Sequence, residues 1–327
     1  MKPPMNPVVW APPPVSERPP PRTPLPSLQR IALPARGEDV VVDHEGRLIT
    51  GLEDGRVLRL DRKRGSCETL VHTGGRPIGI EIDDDGRLIV CDAKRGLLRI
   101  DPQDRRIEVL VDAGEHKIGL CNNAAIAKDG TIYFSDSSRR FSLDHWRGDI
   151  LEHSGTGRLL KRTPWGKVEM VLENLQFANG VALAADESFV AVAETGAYRV
   201  TRLWLRGDKR GQSDVLIDQL PGFPDNMSSD ANGLIWVALA SRRNRLLDFL
   251  HRAPPFLRRI LWALPAAIQP KPHRDMRVLA IDAQGQIVRD LLGRSHDFHM
   301  VTGLRAHGDK LYLASIEEPA LAELTLA

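Results

Sequence analysis

The feature that most constrains this chain is a hairpin pattern that recurs along most of its length. Each copy is an apolar strand, a tight turn built on Asp, Asn or Gly, and a second apolar strand. Such turn residues tolerate the positive φ that a short hairpin loop demands. The copies lie at 40–50, 80–90, 125–135, 182–192 and 228–238, with a weaker one at 304–315. Copies that begin roughly 40 to 75 residues apart are typical of β-propeller blades.

A second strand pair follows each of the first five hairpins, at 55–71, 96–111, 157–172, 198–217 and 277–292. The sixth copy ends soon after Ala320, so its outer strand must come from elsewhere. The segment Ile31 to Pro34, just before the first copy, predicts that strand. The sequence therefore predicts an all-β fold, a six-bladed β-propeller with four strands per blade. The N-terminal strand would close the ring and remove exposed sheet edges.

The first 27 residues do not share this pattern and are dominated by proline. Proline removes a backbone donor and fixes φ, so this stretch can build neither ladders nor helices. We expect a disordered, extended tail at 1–27, followed by a single propeller domain at 28–327.

The segment Asn244 to Ile268 interrupts the fifth blade with leucines at helical spacing. Pro254 and Pro255 divide it into two short helices. We expect this insert to form a lid-like cap over the central site. The alternatives are a helical pair with a purely structural role, or a basic amphipathic surface for membrane contact that carries Arg252, Arg258 and Arg259.

Composition narrows the partners and the location. The chain has 45 Lys and Arg against 43 Asp and Glu, a net charge of +2, which gives no reason to expect a nucleic-acid surface. No apolar run approaches the roughly 18 residues of a transmembrane helix, and the N-terminus lacks the apolar core of a signal peptide. The odd number of cysteines, three, predicts free thiols and a reducing compartment. These features predict a cytoplasmic protein, and they leave its oligomeric state open.

A propeller directs the start of each innermost strand into its central channel. The six copies offer there, in order, Glu38, Ile78, Asn122 with Asn123, Asn179, Asp225 with Asn226, and Thr302 near His299. Carboxylate and amide oxygens suit Ca²⁺, which accepts six to eight oxygen ligands in loose geometry. The absence of a Cys or His pair argues against Zn²⁺. The alternative interpretation is that each Asn or Asp is a turn residue.

Two stretches resemble a known family: ANGVALAADESFVAVAETG (178–196) and GFPDNMSSDANGLIWVAL (222–239). They are similar to the superfamily of strictosidine synthase-like proteins, SMP-30/gluconolactonases and paraoxonases, which are six-bladed propellers. The resemblance covers about residues 28–320 and is closest to bacterial strictosidine synthase-like members and the adipocyte plasma membrane-associated protein group. In its calcium-dependent members a Glu, two Asn and an Asp of inner strands hold the catalytic ion. The resemblance therefore implies Glu38, Asn122, Asn179 and Asp225 as ligands of Ca²⁺ or another divalent cation, with Asn226 as an extra ligand.

Two positions depart from the best-known chemistries of that superfamily. Paraoxonases have a catalytic His where this chain has Ile78, and strictosidine synthase has a catalytic Glu where it has Thr302. What remains is the lactonase arrangement, in which the ion and its Asp do most of the work.

The sequence thus supports a calcium-dependent hydrolase of small lactones or esters, with water attacking a carbonyl in the central channel. Asp225 would orient or deprotonate the water, and His299 is the second candidate base because imidazole is a common general base near neutral pH. The alternatives are a non-catalytic propeller that serves as a binding module, and a strictosidine synthase-like enzyme of specialised metabolism. A ring in which Glu38 pairs with an Arg or Lys would count against the hydrolase.

Overall fold

Six antiparallel sheets stand around one axis in the computed structural model, which describes residues 2–15, 23–265, 269 and 273–326. Two short strands, β1 (Thr23–Pro24) and β2 (Gln29–Ala32), precede the first sheet. Inner strands of neighbouring sheets contact each other around the whole ring, including the last sheet against the first. The predicted six-bladed propeller with four-stranded blades is confirmed.

The blades follow one another in chain order, each running from the innermost strand outward. Blade one has β3 (Gly37–Val42), β4 (Leu48–Leu52), β5 (Arg56–Asp61) and β6 (Ser66–His72); blade two has β7 (Pro77–Ile82), β8 (Leu88–Asp92), β9 (Gly96–Ile100) and β10 (Ile107–Asp112). Blade three has β11 (Cys121–Ile126), β12 (Ile132–Asp136), β13 (Gly157–Arg162) and β14 (Val168–Leu175); blade four has β15 (Ala178–Leu183), β16 (Phe189–Glu194), β17 (Arg199–Trp204) and β18 (Ser213–Ile217). Blade five has β19 (Gly222–Ser229), β20 (Ile235–Arg242), β21 (Met276–Ile281) and β22 (Ile287–Gly293); blade six has β23 (Val301–His307), β24 (Lys310–Ser315) and β25 (Ala320–Thr325).

The ring closes through β2, which pairs antiparallel with β25 and places Ile31 opposite Leu321. This confirms that the N-terminal strand supplies the fourth strand of blade six. The sequence did not predict β1, which adds a fifth, parallel strand to blade five with Thr23 opposite Leu291.

The hairpin turns have the backbone that their sequences predict. Gly46 and Gly86 have φ values of 78° and 80°, in the left-handed region that glycine occupies without steric cost. Asp43 supports the first of these turns by accepting hydrogen bonds from the backbone N–H groups of Glu45 and Arg47, at 3.0 and 2.9 Å.

The core consists of separate apolar clusters, one between each pair of neighbouring blades. At the closing interface, Val40 and Leu48 of blade one pack in one cluster with Leu321 of blade six, and all three are fully buried. Burying one such side chain stabilises the fold by about 1.5–3 kcal/mol. The ring is therefore held by six similar interfaces, and the axis is left free for polar side chains.

Three helices lie outside the blades. α1 (Trp146–Glu152) follows a short 3₁₀ turn between β12 and β13, and the sequence did not predict it. α2 (Arg245–Arg252) and α3 (Pro255–Ala263) lie between β20 and β21. They confirm the predicted helical pair of blade five, with the break at the two prolines. Residues 266–268, the end of the predicted insert, lie outside the described residues.

Residues 2–15, which we call the strap, differ from the disordered tail expected from the sequence. The strap is extended, and its carbonyl groups accept hydrogen bonds from side chains of the helices. Trp262 Nε1 donates to Pro3 O at 2.9 Å, and Arg252 donates to Pro12 O at 2.8 Å. An extended proline-rich chain has carbonyls without internal partners, and the cap supplies donors for them. Residues 1 and 16–22 of the predicted tail lie outside the described residues.

The arginines of the insert also differ from the predicted basic surface. Arg258 is completely buried and donates to Leu151 O at 2.9 Å and to Val8 O at 2.8 Å. Arg252 and Arg259 are exposed, yet each donates to a carbonyl of the strap. Arg258 therefore has an internal structural role, because its guanidinium joins the strap, α1 and α3.

Candidate functional site

Every inner strand contains a register irregularity at the residue that the sequence assigns to the axis. The shift falls between Gly37 and Val40 in blade one and between Cys121 and Ala124 in blade three, with equivalents in the other four blades. A bulge twists the strand locally and redirects one side chain out of the sheet. This repeated bulge explains how Glu38 and Asn122, from distant parts of the chain, lie on one axis.

Alternate blades carry glycine directly after the axial residue, as Gly79, Gly180 and Gly303. A Cβ at Gly180 would lie 2.3 Å from the backbone nitrogen of Met227, and one at Gly79 would lie 2.1 Å from Asn122 O. The inner strand of the next blade therefore passes too closely for any side chain. This alternation, visible in the sequence but not used there, brings the axial residues close together.

Four of the predicted ligands line one central pocket: Glu38, Asn122, Asn179 and Asp225. The empty volume of this pocket, including its open mouth, is about 1170 Å³. Glu38 Oε2, Asn122 Oδ1 and Asn179 Oδ1 are buried and have no hydrogen-bond partner among the described residues. Native proteins rarely leave buried acceptors unpaired. Three of them in one pocket form a site whose acceptors receive no hydrogen bond from the described residues.

The neighbouring hydroxyl groups fix the orientation of both amides. Asn122 Nδ2 donates to Ser137 Oγ at 2.9 Å, and Asn179 Nδ2 donates to Thr195 Oγ1 at 3.2 Å. Since each amide nitrogen is used in this way, each Oδ1 is left for the pocket. Thr195 in turn donates to Pro224 O at 2.6 Å, which ties this arrangement to the strand that carries Asp225.

The carboxyl groups of the pocket are electrostatically costly in this arrangement. Burial raises the pKa of Glu38 to about 7, although Arg76 opposes the shift. Burial also raises the pKa of Asp225 well above its ordinary value, and the charge of Glu38 raises it further. Two buried carboxylates that repel each other favour a bound cation, which would stabilise both charges.

Arg76 is the cation that the structure places beside Glu38. Its Nη2 lies 3.9 Å from Glu38 Oε2, within ion-pair range but without a hydrogen bond. A basic partner of Glu38 is the feature that would count against the hydrolase. Because the contact is long and leaves Glu38 Oε2 without a donor, Arg76 offsets the charge only in part.

The residues that directly follow the pocket ligands in the chain include a second set of buried polar side chains. Asp39 accepts hydrogen bonds from Ile80 N at 3.1 Å and from Asn123 Nδ2 at 3.2 Å, and Asn123 Oδ1 accepts one from Val181 N at 2.8 Å. Asn226 belongs with them: it is buried, does not line the central pocket, and neither of its amide atoms has a described partner. The structure thus separates Asn226 from the four pocket ligands.

The remaining predicted positions take other roles. His299 does not line the central pocket, and its imidazole lies against Glu317, at 3.3 Å, and Glu318. Thr302 lines the pocket but donates its hydroxyl to Glu38 O at 2.9 Å. Ile78 is buried in an apolar cluster with residues of α1 and α2. Of the two candidate bases, the geometry places Asp225 at the pocket.

The roof of the pocket is apolar and comes from outside the blades. Leu247 and Leu250 of α2 and Trp146 and Ile150 of α1 line it. The insert therefore covers the site, and α1, which sequence reasoning missed, completes the cover. The missed signal was the segment 137–156 between two strands of blade three, longer than a hairpin turn requires.

The donor set fits a hard divalent cation. The pocket offers two carboxylates and two amide oxygens, the donors that Ca²⁺ prefers. No cluster of three or more His, Cys, Asp or Glu side chains suited to a metal occurs among the described residues, so a zinc-type site has no support there. The indication of a cation therefore comes from the unpartnered oxygens of Glu38, Asn122 and Asn179, and not from a cluster of acidic side chains.

Comparisons with known proteins give a consistent relationship. The family model described as strictosidine synthase matches residues 122–208, and the model of the strictosidine synthase-like N-terminal region matches residues 23–60. The adipocyte plasma membrane-associated protein of Rattus norvegicus is 32% identical over 318 residues, covering 89% of this chain and 83% of that protein. The Arabidopsis thaliana protein named strictosidine synthase-like 6 is 33% identical over 300 residues, covering 88% and 78%.

Solved structures with low sequence identity share the fold. A gluconolactonase from Xanthomonas campestris matches with a TM-score of 0.67 at 18% identity, covering 99% of this chain and 98% of that one. A calcium-binding protein, regucalcin, from Agrobacterium tumefaciens matches with a TM-score of 0.64 at 15% identity, covering 91% and 93%. These likenesses support the propeller architecture and no more than that.

The relatives correct the predicted location. The sequence features predict a cytoplasmic protein, but curated relatives at 30–32% identity are named as plasma membrane-associated. The cytoplasmic expectation was wrong because it rested on cysteine number and on missing leader features, neither of which reports on surface association. Among the helices of the described residues, none has the length and apolarity to cross a membrane.

Proposed function

Because the chain belongs to the strictosidine synthase-like family of β-propellers, we propose that it is a divalent-cation-dependent hydrolase of lactones or esters. One observation carries this proposal. Three buried oxygens, on Glu38, Asn122 and Asn179, have no hydrogen-bond partner in the part of the chain that the structure describes, and they line one pocket with Asp225 beneath an apolar roof. A binding surface for a protein would not need unpaired acceptors inside a pocket.

The roles of the residues follow from their positions. Glu38, Asn122, Asn179 and Asp225 would hold the cation. When bound, Ca²⁺ would supply a Lewis acid for the carbonyl oxygen of the substrate. Asp225 would orient the attacking water, since its carboxylate has one oxygen beyond the atom that accepts from Asn226 N at 3.0 Å. Ser137 and Thr195 would keep the amide oxygens directed at the pocket. The leucines of α2 would hold the apolar part of the substrate and exclude water.

A panel of lactones and aryl esters, assayed with Ca²⁺ and with EDTA, tests the activity. We expect hydrolysis that EDTA abolishes and Ca²⁺ restores. The Asp225→Ala variant should lose activity by at least about 100-fold, which is typical for removal of a group that stabilises the transition state. The matched control is Asp218→Ala, because Asp218 is exposed and does not line the central pocket.

Calorimetric titration with Ca²⁺ gives a readout that is independent of turnover. We expect binding to the wild-type chain and to Asp218→Ala, with loss of binding in Asp225→Ala. Hydrolysis that persists in EDTA, or equal activity of both variants, would refute the metal-dependent mechanism.

The contact between Arg76 and Glu38 favours one alternative, a non-catalytic binding propeller. A guanidinium 3.9 Å from the carboxylate could serve as its permanent counter-charge. In that case the wild-type chain would bind no Ca²⁺, and Arg76→Met would gain a site.

We further propose that the protein works at a membrane surface. Most of the large apolar side chains that are exposed in the described residues lie on the strap and on the two insert helices, among them Phe249, Phe256 and Ile260, which are 62%, 55% and 56% exposed. Arg245 is exposed on the same helical pair and suits anionic lipid. The names of the relatives support this location.

Flotation with vesicles of phosphatidylcholine and phosphatidylserine tests the membrane contact. We expect the wild-type chain to float and a variant with Phe249→Ser, Phe256→Ser and Ile260→Ser to remain below. The control carries Val109→Ser and Val215→Ser, which change exposed apolar residues of outer strands. Equal flotation of all three proteins, or none, would refute the assignment of this face.

A further inference from the structure

A second, polar pocket adjoins the central one and shares part of its wall. Trp146, Arg147 and Met300 line both, so a ligand can extend from one into the other. The empty volume of this side pocket, including its mouth, is about 810 Å³. Its charged residues are Arg36, Glu53, Arg76, Lys94, Asp144, Arg147 and Glu317. The side pocket thus differs in chemistry from the apolar roof beside it.

Arg76 is the most unusual of these residues. It is 8% exposed, its Nε has no hydrogen-bond partner among the residues that the structure describes, and its Nη atoms lie 3.9 Å from Glu38 and from Glu53. Arg158, which is also well covered, is tightly paired by contrast, because it donates to Asp136 at 2.7 Å. A nearly buried guanidinium with no side-chain hydrogen bond keeps its donors for a group that is not part of the described chain.

The other cations of the side pocket are also incompletely paired. Lys94 is exposed, and its ammonium has no hydrogen bond or ion pair within the described ranges. Arg147 Nη2 lies 4.0 Å from Glu317, which also faces His299. Among the cations that the structure describes in the side pocket, Arg36 alone has a hydrogen-bonded acidic partner, since its Nε donates to Glu53 at 2.8 Å. Arg76, Lys94 and Arg147 therefore keep N–H donors that the acidic side chains of the side pocket do not use.

We propose that the side pocket binds an oxyanion of the substrate, a carboxylate or a phosphate, while the reacting ester or lactone lies over the ring. This inference rests on the proposed hydrolase function and adds a substrate class: an ester or lactone with an apolar body and one anionic group. The planar fork of Arg76 suits two oxygens of such a group, and Lys94 and Arg147 add charge at the mouth.

Arg76 also links the two sites. Because its guanidinium is the nearest cation to Glu38, an anion that draws Arg76 into the side pocket would leave Glu38 free for the divalent cation. Conversely, a cation held by Glu38 would release Arg76 for the anion. By reciprocity of binding free energies, each ligand should tighten the binding of the other.

Calorimetric titration with non-reacting probes tests the proposal. The probes are 4-phenylbutyrate, phenyl phosphate and the neutral 4-phenylbutanamide, each with and without Ca²⁺. We expect both anions to bind at least about tenfold more tightly than the amide, the effect of one charge-assisted hydrogen bond, and to bind more weakly in high salt. The tighter of the two anions identifies the headgroup.

Three variants complete the design. Arg76→Met should weaken anion binding by about tenfold or more, and Lys94→Met by about threefold. Lys63→Met, an exposed lysine on an outer turn of blade one, should have no effect. Should Arg76→Met fail to fold, the surface variant Lys94→Met still decides. Equal binding of anion and amide, or unchanged affinity in Lys94→Met and Arg76→Met, would overturn the subsite. Anion binding without any ester hydrolysis would instead refute the proposed function and leave the subsite standing.

Discussion

Replacing Arg258 by Met should detach the strap without unfolding the propeller. Arg258 is completely buried, and its guanidinium donates to Leu151 O, to Val8 O and to His251 Nδ1 at 2.9, 2.8 and 3.2 Å. Methionine replaces the aliphatic part of the arginine and keeps its apolar contacts, but it offers none of these donors. The carbonyl groups of Val8 and Leu151 would then lose their shared donor, which weakens the attachment of the strap to α1 and α3.

The size of the effect follows from two opposing contributions. Each hydrogen bond from a charged donor contributes about 1.5–3 kcal/mol, so three bonds are large in sum. Burying a guanidinium without a carboxylate partner costs several kcal/mol, which offsets much of that sum. A net loss of about 2 kcal/mol in strap docking corresponds to about 30-fold faster amide exchange by local opening.

Hydrogen exchange measures this directly, because two amides report on the strap. Val8 N donates to Glu152 O at 2.9 Å, and Trp10 N donates to His251 O at 3.0 Å. The matched control is Arg259→Met, since Arg259 is exposed and makes one contact to the strap, to Met5 O at 3.2 Å. We expect it to change stability by no more than about 0.5 kcal/mol. Unchanged exchange at Val8 and Trp10 in Arg258→Met, or equal acceleration in every blade, would refute the reasoning.

Three further predictions follow. Burial lowers the pKa of His153 to about 4 and that of His251 to about 3, so both should destabilise the cap once the pH falls below 6.5; at pH 5 each costs about 2 kcal/mol, seen as faster strap exchange than at pH 7. Gly180→Ala should lower the melting temperature by several degrees, since its Cβ would meet a backbone nitrogen at 2.3 Å, whereas Gly114→Ala, which meets only a side-chain oxygen at 3.2 Å, should not. Asp225→Asn should raise the melting temperature without Ca²⁺, because it removes one of two repelling carboxylates. The same variant should abolish any rise in melting temperature that Ca²⁺ causes, and a wild-type-like response to Ca²⁺ would contradict the ligand assignment.

The propeller could be predicted because its information is local and repeated. Each blade is visible in the sequence as alternating apolar residues and a turn such as Asp43 to Gly46. Six such units are compatible with few folds other than a propeller. The pocket ligands could be predicted for the same reason, since one position in each repeat leads to one axis. The closing strand could also be predicted, because the sixth repeat ends before its fourth strand and the segment that contains Ile31 offers one.

The remaining features depend on contacts between distant segments that have no repeat. The strap binds side chains some 240 to 260 residues away, such as Arg252 and Trp262, and nothing in its own proline-rich sequence specifies them. Arg76 lies just before the axial position of blade two, where the sequence pattern directed attention to Ile78. Its importance appears only when the distance to Glu38 is known.

The location of the apolar surface follows from the geometry of a propeller. The inner strands converge at the axis, and most of them begin there with a polar residue. The blades therefore form a hydrophilic base for the central pocket. An apolar substrate can therefore be bound only if segments outside the repeat form a roof, and α1, α2 and α3 are those segments. A roof built from insertions has no strand partners, which is why it needs Arg258 and the strap to hold it together. The same helices present Phe249 and Phe256 to the outside, so an ester that partitions into a lipid surface would meet the cap before it reaches the ring.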